Sequence, residues 1–369
     1  MTLQRRDALA LLALGPAMGP LQAAELRELS SLQLAREMGI GWNLGNALEA
    51  TGGETAWGNP KTHRKLLQAV RAAGFRSIRI PLAWAQYADA QQRISPAWMA
   101  RVAEVVGWAR EAGLIVLINI HWDGGWMQPK RSHQKAVNAL IGRFWTQIAA
   151  QFREHDEGLL FAGTNEVMVE GDWGPPKPEY VAVQNSFNQS FVDAVRASGG
   201  NNARRHLVVQ GFNTHIAHTV QHLVLPKDSA ADRLMVEVHY YDPFHFTIDE
   251  KSALWQWGRE ATDPKAKDSW GDEAHVDAEF DTMKQRFIDR GIAVVLGEYG
   301  VIARPQQPGS ERYREAWNRH VTRAALQRGM VPMVWDNGVT GARGMGLFDR
   351  ASGHVVHPGL LQALTGSAS

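Results

Sequence analysis

Along almost the whole chain, segments of helical period alternate with short apolar runs. The most regular unit is a helical segment that glycine closes and that passes at once into an apolar run. Residues 61–73 have helical period, Gly74 follows, and Phe75 leads into Ser77-Ile78-Arg79-Ile80. Asn59-Pro60 reads as the cap and first residue of that helix. Ser95-Pro96 opens a second helix, Gly113 closes it, and residues 114–121 form the next run. Gly291 precedes the run at 292–298, and Gly329 the run at 330–335. Glycine between a helix end and a strand is αβ-loop chemistry. The alternation calls for a parallel sheet with crossover helices. Runs without polar alternation are strands buried on both faces. A run at 40–43, preceded by a helical lead-in at 24–39, and weaker runs at 159–166, 206–212 and 234–241 bring the count to eight.

Eight parallel strands separated by helices predict a single-domain (β/α)8 TIM barrel over residues 25–369. An open doubly wound sheet is the alternative. It carries a glycine-rich phosphate turn after an early strand, and none is present. Gly341-Ala342-Arg343-Gly344-Met345-Gly346 has its glycines in another order after the last strand, so it reads as a loop. Residues 242–276, with Trp255, Trp257 and Trp270, read as an elaborated loop rather than a domain.

Composition narrows the picture. A chain of 369 residues that is 44% hydrophobic can bury the large core of a barrel. A formal net charge of +1, without a basic tract, argues against nucleic acid as partner. The absence of cysteine excludes disulfides, thiol nucleophiles and thiolate metal sites. Residues 1–24 combine Arg5-Arg6, an apolar centre at 8–14 and Leu21-Gln22-Ala23-Ala24, the pattern of a twin-arginine-like export signal. The expected location is therefore secreted or periplasmic. No run is long enough to span a bilayer, so no membrane association is expected. Fourteen tryptophans against six tyrosines suggest rings for stacking on flat ligands as well as for packing. Trp57, Trp122, Trp126, Trp173, Trp255, Trp257 and Trp270 fall in loop segments, and fewer than half are expected to meet a ligand.

Barrel active sites lie at the C-terminal ends of the strands, so those positions can be read directly. They hold Trp42, Asn43 and Asn46; Arg79; Asn119, His121 and Trp122; Asn165 and Glu166; His239 and Tyr241; Glu298; and Trp335. Each alone has a structural explanation. Arg79 could be an ion-pair partner, His121 a core histidine, Glu298 a solvated strand end. Polar, titratable and aromatic groups at the same end of nearly every strand are poorly explained that way. Two carboxylates on strands four and seven face each other across the mouth. With histidine, tyrosine and tryptophan beside them, they suit glycoside hydrolysis.

The motifs Gly41-Trp42-Asn43-Leu44-Gly45-Asn46, Arg79-Ile80-Pro81, Asn119-Ile120-His121, Asn165-Glu166, His239-Tyr240-Tyr241, Gly297-Glu298-Tyr299-Gly300 and Trp335 resemble, in order and spacing, those of glycoside hydrolase family 5, and within it bacterial endoglucanases. The resemblance implies retaining hydrolysis of internal β-1,4-glucosidic bonds without metal or cofactor. It implies Glu166 as general acid/base and Glu298 as nucleophile. Arg79 and Tyr241 would hold Glu298 ionised, and the charge on Glu298 would keep the proton on Glu166. Asn165, beside the acid/base, would hold the sugar 2-hydroxyl, and His239 would lie near the acid/base. Asn43, His121, Trp122 and Trp335 would meet the substrate, a polysaccharide bound by a monomer. Val167 stands where the family usually has proline, and Trp122 where many of its cellulases have a second histidine. Mannan, xyloglucan and mixed-linkage glucan are alternative substrates for the same fold, and a non-catalytic carbohydrate-binding protein is the rival class.

Overall fold

The computed structural model describes residues 26–366. Eight parallel strands close into a barrel in chain order, each paired with the next and the last with the first. In chain order the elements are α1 (Ser31–Met38), β1 (Gly41–Asn43), α2 (Arg64–Ala72), β2 (Ser77–Ile80), α3 (Pro96–Glu111), β3 (Ile115–Asn119), α4 (Arg131–Gln151), β4 (Leu159–Ala162), α5 (Pro178–Ala197), β5 (Leu207–Gln210), α6 (Ile216–His222), β6 (Leu234–Tyr240), α7 (Phe244–Thr247), α8 (Glu273–Arg286), β7 (Ala293–Tyr299), α9 (Ser310–Gln327), β8 (Val331–Val334) and α10 (Pro358–Thr365). The expected (β/α)8 architecture is the observed one. The export signal expected over residues 1–24 lies outside the described residues. Among the described residues no helix is long and apolar enough to cross a membrane.

Two cores account for the uninterrupted apolar strands. Side chains such as Ile78, Val116, Phe161, Val209, Val236 and Leu296 point outward and pack against the helix ring. Leu117, Leu160, Val208, Met235, Val295 and Met333 point inward and fill the barrel. Alternating residues thus serve two apolar layers, which is why the strands read as continuous. The floor of the barrel is closed by α1. Ser30 caps it in a reciprocal pair with Gln33. Ser31 holds it to the start of β7, its hydroxyl accepting from the Ala293 N–H. Leu34, Ala35 and Met38 then complete the inner core from below.

Several boundaries differ from expectation. The second helix begins at Arg64, with the His63 ring accepting from the Leu66 N–H as its cap. Asn59 is not the cap. Its amide donates to the carbonyls of Asn46 and Asn337, both at 2.9 Å, and ties the loops after β1 and β8 together. Strand β4 ends at Ala162. Gly163 to Glu166 are therefore loop, and Glu166 has φ +43°. A register shift in the β6–β7 pairing falls between Val238 and His239, and sets His239 opposite Glu298.

Candidate active site

The mouth of the barrel holds one connected network of charged groups. Arg79, fully buried on β2, joins β1, β6, β7 and the loop after β4. Its Nη1 donates to Glu298 Oε1 at 2.8 Å and to Asn43 Oδ1 at 3.0 Å. Its Nη2 donates to Asn165 Oδ1, and its Nε lies 2.9 Å from Glu237 Oε1. Tyr241 donates its hydroxyl to Glu298 Oε2 at 3.1 Å. His239 Nδ1 lies 2.7 Å from Glu166 Oε1, and its Nε2 lies 3.1 Å from Glu237 Oε1. One carboxylate oxygen of Glu166, one of Glu298 and a nitrogen of His239 all lie within 4.8 Å of one another.

Glu237 was not among the residues expected from sequence. It is fully buried, and Gln210 on β5 donates to its second oxygen at 2.8 Å. The hydroxyl of Thr164 donates in turn to Gln210 at 2.6 Å. The signal was present: Glu237, His239 and Tyr241 alternate on β6 and so share one face. Reading only the last residues of each strand missed it.

Charge balance in this cluster decides where protons sit. Three carboxylates face two cations, Arg79 and protonated His239. Burial opposes a charge on His239. The charges of Glu298 and Glu166, with the hydrogen bonds to Glu166 and Glu237, outweigh it and lift the pKa to about 9. Loss of solvent pushes the Glu166 carboxyl up, but the hydrogen bond and charge of His239 pull it below the ordinary carboxylate value. Burial raises Glu298, against the pull of His239 and Arg79, and the neighbouring carboxylates add to the rise. The two carboxyls are thus shifted in opposite directions, Glu166 down and Glu298 up. Glu166 and His239 hold one proton between them across a 2.7 Å hydrogen bond. Glu166, His239 and Glu298 are also the group among the described residues whose atoms could converge on a cation. Arg79 and the imidazolium already supply that positive charge.

The other expected residues divide into two sets. His121 and Trp335 lie with their rings nearly parallel, centroids 5.9 Å apart. Burial, then the charges of Arg79 and His239, hold His121 well below the ordinary histidine pKa, so it is neutral. Trp122 is exposed at the cleft wall. Asn43 does not reach the cleft. It is fully buried, and its amide donates to the carbonyls of Gly297, Met333 and Val334 at 2.8, 3.0 and 3.2 Å. Its role is to brace Arg79 against β7 and β8. Of the seven loop tryptophans, Trp122 and Trp173 line the cleft. Trp126 donates to Asp123, a carboxylate that also accepts from the Trp84 and Ala85 N–H groups and so fixes the loop carrying Trp122. Trp257 is buried, with its N–H on the Gly271 carbonyl.

The cleft has a volume of about 660 Å³ and runs from His121 and Trp122, past Glu166, to Asp242 and Phe244. Its wall includes the turn Asn213-Thr214, where both residues have positive φ, +53° and +49°. That turn is held by the Asn213 N–H donating to the Val167 carbonyl at 3.0 Å. A β-branched residue at such a φ is strained, and the strain sits next to Glu166.

An eight-stranded barrel with two carboxylates converging at its mouth is the architecture of barrel glycosidases. Residues 43–341 match the family described as Cellulase (glycosyl hydrolase family 5), and the chain belongs to that family. Endoglucanase A of Paenibacillus barcinonensis is 37% identical over 365 residues, covering 93% of this chain and 91% of that protein. A xyloglucan-specific endo-β-1,4-glucanase of Bacteroides ovatus is 39% identical over 348 residues, covering 89% of this chain and 68% of that protein. Among solved structures, a broad-specificity endoglucanase from Bacteroides salanitronis superposes with TM-score 0.87 at 38% identity, covering 95% of this chain and 98% of that one. The Bacteroides ovatus xyloglucanase bound to a heptasaccharide superposes with TM-score 0.89 at 37% identity, covering 92% of this chain and 77% of that one.

Proposed function

We propose that the protein is an endo-β-1,4-glucanase that works with retention of configuration, with Glu298 as nucleophile and Glu166 as general acid/base. The observation that carries this reading is the approach of one oxygen from each carboxylate to within 4.8 Å. Retaining glycosidases hold their carboxyls about 5–5.5 Å apart, whereas inverting ones leave room for a water. Glu298 attacks the anomeric carbon as the glycosidic oxygen takes the proton that Glu166 shares with His239. The charge on Glu298 is lost in the glycosyl-enzyme. Water then attacks, its proton returns to the Glu166–His239 pair, and Glu298 leaves as a carboxylate. Arg79 and Tyr241 hold Glu298 in line for both steps. Asn165 has its carbonyl oxygen committed to Arg79, which leaves its NH2 for a sugar hydroxyl. Trp335 and His121 offer the platform for the sugar that Glu298 attacks.

Relatives named as endoglucanases support unbranched β-1,4-glucan as substrate. The relative named as xyloglucan-specific supports branched β-1,4-glucan as a second reading. A polymer substrate and the Arg5-Arg6 leader pattern support a secreted or periplasmic location. Reducing-end assays on carboxymethylcellulose, xyloglucan, mixed-linkage glucan, mannan and xylan, with NMR of the first-formed anomer, test the proposal. Release of the β-anomer from a β-1,4-glucan is expected; first release of the α-anomer, or a preference for mannan, overturns it. Glu298→Gln and Glu166→Gln are each expected to lower kcat by about 10³-fold or more.

A further inference from the structure

Helix α6 carries histidines at 215, 218 and 222 that the mechanism above does not use. His215 stands at the cap position with extended backbone, and the other two follow about one turn apart. All three therefore fall on one stripe of the helix, beside the buried Ile216 and Thr219. The His215 side chain makes no capping hydrogen bond. Its ring lies 4.5 Å, centroid to centroid, from that of His218, with the planes inclined by 33°. Phe212 meets His218 edge-on at 6.1 Å and itself stacks on Tyr180 at 6.3 Å, which holds the His218 ring in place. His215 is exposed at the cleft wall, and its charge pulls on the Asp242 carboxyl, which burial raises. The cluster does not serve the fold. Burial, then the charges of His215 and His222, pull the His218 pKa down to about 4. His218 is thus neutral at ordinary pH, the form in which imidazole ligates a metal.

We propose that His215 and His218 form a site for a divalent transition ion of tetragonal preference, Cu2+ or Ni2+, at the rim of the cleft. The spacing of the rings selects the geometry. With imidazole–metal bonds of about 2.0–2.1 Å, the length found at zinc, two rings at right angles around an ion have centroids about 4.5 Å apart, and two tetrahedral ligands about 5.2 Å. The observed 4.5 Å is the right-angled arrangement, which Cu2+ and Ni2+ take with nitrogen ligands. His222, 6.4 Å from His218, is beyond that spacing, so water fills the remaining positions. Asp242 adds negative charge on the cleft side of His215. The site does not depend on the glucanase reading. Among the described residues, three ligand atoms converge at Glu166, His239 and Glu298, so the test must separate the two places.

The test is calorimetric titration of the tag-free, full-length protein with CuCl2, with electron paramagnetic resonance of the bound ion. A single Cu2+ per chain, with hyperfine structure from two nitrogens, is expected. His215→Gln and His218→Gln are each expected to weaken binding about tenfold or more, no less than loss of an outer-shell partner costs a metal site. His215 is exposed, so His215→Gln carries the test even where His218→Gln disturbs the packing on Phe212. His222→Gln and Glu298→Gln are expected to leave the affinity and the spectrum unchanged. Unchanged binding in both His215→Gln and His218→Gln, or a spectrum without nitrogen structure, would overturn the site. Loss of binding in Glu298→Gln would place the ion at the catalytic cluster and overturn it as well. Weakening by His222→Gln as large as by His215→Gln would overturn the pairing of His215 with His218.

Discussion

At the scale of single residues, His239 is the group on which the site turns. It lies between Glu166 and Glu237, 2.7 and 3.1 Å away, and its pKa of about 9 exceeds the ordinary value near 6.5. A histidine whose folded pKa is raised stabilises the fold fully below its unfolded pKa, and that contribution is lost as pH rises through the folded one. Thermal stability is therefore expected to decline between about pH 6.5 and 9, by at most ~3 kcal/mol from this group. His239→Asn is expected to flatten the decline, and an unchanged slope in melting curves would count against the assignment. Glu237→Gln tests the same proton through activity. Removing one negative neighbour lowers the pKa of the Glu166–His239 pair, so the alkaline limb of kcat/KM moves to lower pH. It also leaves Arg79 short of one buried partner, a loss of about 3 kcal/mol in stability. A loss of stability without movement of the alkaline limb would show that Glu237 is structural only.

At the scale of elements, most of the fold was legible because the two cores impose it. Eight apolar strands, four of them entered from a glycine-closed helix, leave few arrangements other than a closed parallel barrel. The helix start at Arg64 was misplaced because Asn59-Pro60 is used for a loop-to-loop tie at the mouth, a tertiary role that a local cap signal cannot reveal. Asn43 was misread because a polar residue at a strand end looks the same whether it faces ligand or carbonyls. The glycines beside Glu298 and Trp335 also have element-level causes. A Cβ on Gly45 would lie 2.6 Å from the Trp335 ring, so that glycine lets β1 pass behind the tryptophan. A Cβ on Gly297 would lie 2.1 Å from Glu237 Oε1, so the missing side chain makes room for a carboxylate on the neighbouring strand rather than for substrate. Gly297→Ala is expected to displace Glu237 and cost about 1–3 kcal/mol. Because both changes strike one contact, Gly297→Ala and Glu237→Gln are expected to be less than additive in a double-mutant cycle. Additive losses in stability and activity would mean that the two residues act separately.

At the scale of the whole molecule, the barrel divides its tasks between its two ends. Arg79, Glu166, Glu237, His239 and Glu298 gather at the C-terminal ends of the strands, where the burial of so many charges works against stability. The opposite end is apolar and sealed by α1, with Leu34 and Met38 fully buried against inner residues of the strands. A rigid frame below lets the mouth hold an electrostatically strained cluster in place. If that division is real, the floor can be weakened without touching the chemistry. Leu34→Ala removes a fully buried side chain from the plug, a change worth about 3 kcal/mol. In a chain of this size that corresponds to a fall in Tm of about 4 °C. The kcat/KM at 25 °C and the alkaline limb near pH 9 are expected to stay within twofold and a few tenths of a pH unit. The experiment is a melting curve and a pH–rate profile on the same preparation. A drop in activity that tracks the drop in Tm would show that the floor and the mouth are one mechanical unit, and that α1 takes part in setting the geometry of Glu298.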